Sequence, residues 1–194
     1  MAGWRNVESI GSTQFKCKYC SNRVATPLGY QWPENRCFIY ICSHCKKPTF
    51  FDAGKQIPAP ILGNEVEGVP DDIRRLYREA RENTGIGAYT SAVLVCRKLL
   101  MHIAVKQGDK AGKSFVEYVE YLSGKGFVPP NGKRWVDHIR EKGNEANHEI
   151  VFMEEKDALE LINFIEMLLK FIYEFPEKFR TVGTDDAAGE GKTS

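Results

Sequence analysis

Two C-x-x-C pairs, Cys17-Lys-Tyr-Cys20 and Cys42-Ser-His-Cys45, stand 21 residues apart near the start of this 194-residue chain. Each pair can form a tight knuckle that aims both sulfurs at one point. Two knuckles supply four thiolates in a tetrahedron, the geometry that zinc accepts most readily. A single C-x-x-C is equally a redox motif, but no βαβ pattern surrounds either pair here. The spacing therefore predicts one structural Zn2+ held by Cys17, Cys20, Cys42 and Cys45. Cys37-Phe-Ile-Tyr-Ile before the second knuckle and Thr49-Phe-Phe after it are rich in β-branched and aromatic residues. They read as strands, so the knuckles belong to a small β-ribbon whose folding energy comes from the metal.

Cys37 lacks a knuckle and reads as a small buried hydrophobe, as does Cys96 in a later apolar helix face. His44, inside the second knuckle, reads as exposed. The segment also interleaves Lys16, Lys18, Arg23, Arg36, Lys46 and Lys47 with Tyr19, Tyr30 and Trp32. Such a pattern suits contact with an RNA or DNA backbone and stacking on bases, or equally a solvated face of a protein-contact module. Formal net charge is only +1, which argues against coating nucleic acid by bulk electrostatics but leaves room for a local patch. No apolar run approaches the roughly 20 residues of a membrane span, and the N-terminus lacks the apolar core of a secretory signal. The expected compartment is the cytoplasm, where thiols stay reduced.

After residues 54–69, which hold two prolines and three glycines and read as a linker, the hydrophobic period becomes helical. Five helices are expected, at about 70–82, 87–106, 114–123, 132–149 and 154–174. Pro70 with Asp71 and Asp72 suits a helix start. Ser114 and Glu117 form a capping box. The fifth helix is apolar on most sides, from Leu159 to Ile172, and reads as central, with Pro176 as its stop. The fold expected is mainly α: a zinc ribbon over 1–53, a linker over 54–69, a helical bundle over 70–176 and a disordered tail over 177–194.

The fourth helix carries Arg140, Asn144 and His148 at intervals of four, on one stripe of an α-helix. A cation, an amide and an imidazole in a row can hold a phosphodiester and move a proton, with Arg140 on the phosphate and His148 as the acid or base. The same residues can be a buried hydrogen-bonded set that fixes helix register. Gly143 in mid-helix costs about 1 kcal/mol relative to Ala and permits a close approach by another helix or chain.

The helical part resembles a bacterial domain-of-unknown-function family, family 4145. The likeness rests on Asp72, Tyr77, Glu79 and Ala80, on Ala92 to Arg97-Lys98-Leu99-Leu100, and on Ile139-Arg140. It continues through Gly143-Asn144-Glu145-Ala146-Asn147-His148-Glu149 and Asp157-Ala158-Leu159. That family is grouped with the HEPN superfamily of helical bundles, found in toxin, restriction and antiviral systems. The resemblance implies a HEPN-like bundle, a homodimer, and work beside RNA or within a larger defence-system protein. Many HEPN proteins are metal-independent endoribonucleases whose motif is an Arg, four to six residues, then a His. Here seven residues separate Arg140 from His148, one more than that motif allows, and the residue four before His148 is Asn144 rather than an Arg. A non-catalytic zinc-binding interaction module is therefore the reading preferred over an RNase built on Arg140, Asn144 and His148.

Overall fold

The computed structural model describes residues 3–128 and 152–185, and the chain divides into two compact units. The first comprises residues 1–62 with 82–88, and the second the remainder.

The first unit is a five-stranded antiparallel meander in which each strand pairs with the next in sequence. Its strands are β1 (Glu8–Lys16), β2 (Arg23–Trp32), β3 (Cys37–Ile41), β4 (Pro48–Asp52) and β5 (Lys55–Ile57). This corrects the expectation of a mainly α chain with a small ribbon: strand makes up 21% against 46% helix, so the architecture is mixed. Only β3 and β4 announce themselves by composition. β2 contains Pro27 and Gly29, residues that weaken a strand read alone. It tolerates them because its side-chain alternation breaks there. Val24 and Thr26 are buried, Pro27 and Leu28 are exposed, and Gly29 is buried again. The Leu28 N–H donates to Thr26 Oγ1 at 3.2 Å across this irregularity. β1 shifts its register opposite, between Ser9 and Thr13, where Gly11 has φ +90°. A side chain at Gly29 would collide with the Ile39 carbonyl, so the close strand approach there needs glycine.

One face of the sheet packs Phe15, Val24 and Tyr40 with Phe38 and Phe51 against the two knuckles. Phe15, Tyr40 and Phe51 meet as tilted and edge-on rings 5.4–6.3 Å apart. Residues 55–62, expected as linker, are not featureless. Lys55–Ile57 adds the fifth strand, the Ala59 N–H donates to the Gly85 carbonyl, and the Leu62 N–H donates to Thr84 Oγ1.

The second unit holds α1 (Asp71–Gly85, whose last turn clusters with the first unit), α2 (Tyr89–Lys106), α3 (Phe115–Gly124) and α4 (Glu155–Leu169). The capping box forms as expected: Ser114 Oγ accepts from the Glu117 N–H, and the Glu117 carboxylate accepts from the Ser114 N–H. α2 packs against both α3 and α4 through Ala92, Cys96, Leu99, Leu100 and Ile103, all fully buried. α4 buries Ile162, Phe164, Ile165, Leu168 and Leu169. Leu159 and Phe171, grouped with that apolar face by sequence, are instead exposed. Segment 63–69 is pinned to the helices by polar contacts. Buried Glu166 accepts from the backbone N–H and the side-chain amide of Asn64, and Tyr77 donates to the Asn64 carbonyl.

Pro176 does not stop the last helix. A π-helical turn, Lys170–Glu174, follows α4 and leads into α5 (Phe175–Asp185). The Phe175 N–H reaches back five residues to the Lys170 carbonyl. Widening the helix just ahead of Pro176 reassigns the carbonyls that a proline nitrogen cannot satisfy, so the helix continues into the segment expected to be a disordered tail. The expected helix at 132–149 lies outside the described residues. Among the described residues no helix is long and apolar enough to cross a membrane.

Candidate metal centre

The two knuckles fold alike, and their backbone explains why the sulfurs converge. In the first, the Cys17 N–H donates to the Asn22 carbonyl and the Ser21 N–H donates to the Cys17 carbonyl, both at 2.9 Å. In the second, Cys42 and Lys47, then Lys46 and Cys42, repeat the same two bonds at 3.0 Å. The residue after each second cysteine, Ser21 or Lys46, takes a left-handed backbone with φ 58° or 62°. The first knuckle joins β1 to β2 and the second joins β3 to β4. The meander brings the corresponding loops to one end of the sheet.

There the sulfurs of Cys17, Cys20, Cys42 and Cys45 all lie within 4.8 Å of one another. Cys17 and Cys42 are fully buried, and Cys20 and Cys45 are half-buried. The closest cross-knuckle pairs are Cys17 to Cys45 at 3.7 Å and Cys20 to Cys42 at 3.8 Å. These are far too long for disulfides, which need about 2.05 Å. They match the edge of a thiolate tetrahedron, about 3.8 Å when metal–sulfur bonds are about 2.3 Å as for zinc. The donor set and its spacing therefore fit a metal ion.

Electrostatics point the same way. Burial pushes the Cys17 thiol up to about 12, against the pull of the Cys20 and Tyr19 N–H groups. Burial opposes ionisation of Cys42 as well, but N–H groups of Cys45 and His44 with the Cys45 and Cys17 thiols outweigh it and bring Cys42 down to about 7. Burial also raises Cys45. Four thiols so close cannot all carry charge without a cation among them, and a divalent ion supplies that charge.

Cys37 stays apart from the four. It is half-buried rather than fully buried, with its sulfur 3.4 Å from the Asn35 carbonyl and 3.8 Å from Asp52. His44 is exposed. Cys96 is sealed in the α2 core, where burial raises its thiol strongly. His102 lies 3.0 Å from Asp72, and Lys106 reaches the same carboxylate at 2.7 Å. Lys106 and His102 together hold Asp72 well below the usual carboxylate range. The Arg140, Asn144 and His148 stripe lies outside the described residues. Sequence reasoning passed over Trp4, whose indole N–H donates to the Lys46 carbonyl at the rim of the second knuckle. The only sequence signal was a lone tryptophan beside a basic residue.

A four-thiol cluster closing one end of an antiparallel sheet, followed in the same chain by packed helices, defines a candidate metal-binding protein of mixed α and β structure. The model of a family described as a domain of unknown function, DUF4145, matches residues 78–185, more than half of the chain, and the chain belongs to that family. The match takes in α1 from Arg78 to the end of α5 and leaves the cysteine-bearing sheet outside it. Neither a curated protein nor a solved structure matches.

Proposed function

We propose that this protein is a zinc-stabilised, non-catalytic binding module. The sheet unit presents the contact surface, and a HEPN-like helical unit pairs with a second copy of the chain. The observation that carries the reading is the convergence of the Cys17, Cys20, Cys42 and Cys45 sulfurs within 4.8 Å, with two cross-knuckle spacings of 3.7 and 3.8 Å that suit zinc. Four protein thiolates fill the coordination sphere of a tetrahedral zinc ion, so such a centre has no open position for water or substrate. Its work is to fold the sheet. When bound, the ion supplies the charge that lets four neighbouring thiols ionise together. Cys42 is held below the ordinary thiol value, and the backbone N–H groups of each knuckle aim at its first sulfur.

Elemental analysis of protein purified without added metal tests this directly, with one zinc per chain expected. A folded sheet with almost no zinc overturns the reading. The pairing of helical units rests on membership of the DUF4145 family and on the resemblance of the Gly143–Glu149 segment to HEPN-type bundles, which also supports work within a bacterial defence or mobile-element system. Light scattering at micromolar concentration should return twice the chain mass of 22.0 kDa. Total RNA incubated with the pure protein in EDTA should stay intact. Cleavage that disappears in His148→Ala would replace this reading with that of a metal-independent RNase.

A further inference from the structure

Opposite the aromatic core and the knuckles, the sheet has a second face of a different kind. Strand register puts Tyr30, Ile39, Phe50 and Ile57 directly opposite one another across β2, β3, β4 and β5. Residues directly opposite in antiparallel strands share a face, so these four form one apolar row. At strand spacings of about 4.8 Å the row is roughly 14 Å wide. The first three are half-buried and Ile57 is 41% exposed. The neighbouring row is Trp32, Cys37, Asp52 and Lys55, and its Trp32 is 59% exposed. Trp4 meets Tyr30 edge-on at 6.4 Å and is itself 48% exposed. The Tyr30 hydroxyl donates to the Arg5 carbonyl, which fixes Trp4 and Arg5 beside the row.

Charge on this unit is one-sided. The unit, residues 1–62 with 82–88, carries eight Lys and Arg against four Asp and Glu, although the whole chain is nearly balanced at 27 against 26. The excess cations of the chain are thus collected on the unit that exposes its rings. Asp52 is the one carboxylate on the two rows just described. An acidic or apolar protein partner would satisfy one half of this pattern. A single-stranded polynucleotide satisfies both, because its phosphates meet the cations while its unpaired bases offer flat faces for stacking.

We propose that this sheet face, with Trp32, Tyr30 and Trp4 as stacking platforms and Arg5, Arg36 and Lys55 around them, binds unpaired nucleic acid. The proposal deepens the binding-module reading and rests on it. Base pairing in a duplex hides the base faces, so duplex gains only the charge contribution and binds more weakly.

The test uses the full zinc-loaded chain and a fluorescein-labelled oligothymidylate of roughly 16 nucleotides, followed by anisotropy. Saturable binding is expected, with quenching of tryptophan emission and affinity falling as salt rises. Trp32→Ala should weaken binding roughly 5- to 150-fold, the span expected for loss of one stacked base. Trp32→Phe should restore most of it, and the salt slope should barely change because no phosphate contact is lost. Zinc content is measured on every variant. Loss of zinc and of the sheet in the parent protein defeats the binding-module reading itself. Intact zinc with no binding of the oligonucleotide defeats this proposal alone. It also falls if duplex binds more tightly, if Trp32→Ala binds as the parent does, or if Trp32→Ala instead dissolves a dimer, which would make the face a contact between copies.

Discussion

Cys42 is the residue on which the sheet unit turns. It opens the second knuckle, it is fully buried, and its sulfur accepts from the Cys45 N–H at 3.5 Å while standing 3.8 Å from Cys20. Serine in its place keeps the shape but binds zinc poorly. Structural zinc contributes on the order of 10–16 kcal/mol in small domains, as much as or more than the usual net stability of a fold. Cys42→Ser should therefore drop zinc well below one per chain and lose the sheet, read from tryptophan emission and elemental analysis. Cys37→Ser should keep its zinc and its fold, since that sulfur is outside the tetrahedron. Loss of zinc in Cys37→Ser would mean that the ligand set is misassigned. Both knuckles close on a non-glycine residue in the left-handed region, Ser21 or Lys46. Glycine there should be tolerated, because it removes strain without touching a ligand.

At the scale of elements, α3 is set by its cap and α4 by its buried carboxylates. Ser114→Ala removes an acceptor for an orphan N–H at the helix start and should cost about 1 kcal/mol, visible as several degrees in the melting temperature. Glu166, only 8% exposed, ties α4 to segment 63–69 through Asn64 and pairs with Lys170 at 2.5 Å. Burial works against its charge, but Lys170 and the two Asn64 donors prevail and lower its affinity for a proton below the ordinary Glu value. A carboxylate depressed in the folded state stabilises fully above its unfolded pKa, and that stability is lost as pH falls through the folded value. Glu174, which accepts from Lys178 and the Glu67 N–H, is depressed as well and adds the same sign. The helical unit should thus hold its melting temperature from neutral pH to about 5 and melt progressively lower as pH falls through and below the ordinary Glu range. Glu166→Gln should cost about 1–3 kcal/mol at pH 7 and flatten that acid slope. An unchanged slope in Glu166→Gln would show that other groups carry the acid response.

For the whole molecule, two units with separate cores imply two separable losses of structure. A chelator strong enough to strip zinc should abolish the tertiary signal of the sheet. It should leave most helical ellipticity in place, because α2, α3 and α4 pack on one another through their own apolar residues. The last turn of α1 is the exception, since Thr84 and Gly85 take their partners from residues 59–62. One cooperative transition, with helix and sheet lost together on chelation, would show that the two cores are energetically one.

The sequence by itself determined the four cysteines that converge, the strands on either side of the second knuckle, the helical period from Asp71 onward and the box at Ser114. Each depends on residues close in the chain. Knuckle spacing, side-chain period and capping are local geometry, and local geometry is written in local sequence. It did not reveal β1, β2 or β5, because those strands draw their stability from register with a neighbour. Pro27, Gly29 and Gly11 look like breakers until the opposing strand explains the irregularity. It likewise misjudged Pro176 as a stop, since the π turn ahead of it, where the Phe175 N–H reaches back to the Lys170 carbonyl, is not marked by any local residue pattern. Only tertiary structure could bring Tyr30, Ile39, Phe50 and Ile57 into one row, because that row is read across strands and not along them. Cross-strand neighbours are far apart in sequence, and nothing in the order of residues records which face of a sheet they will share.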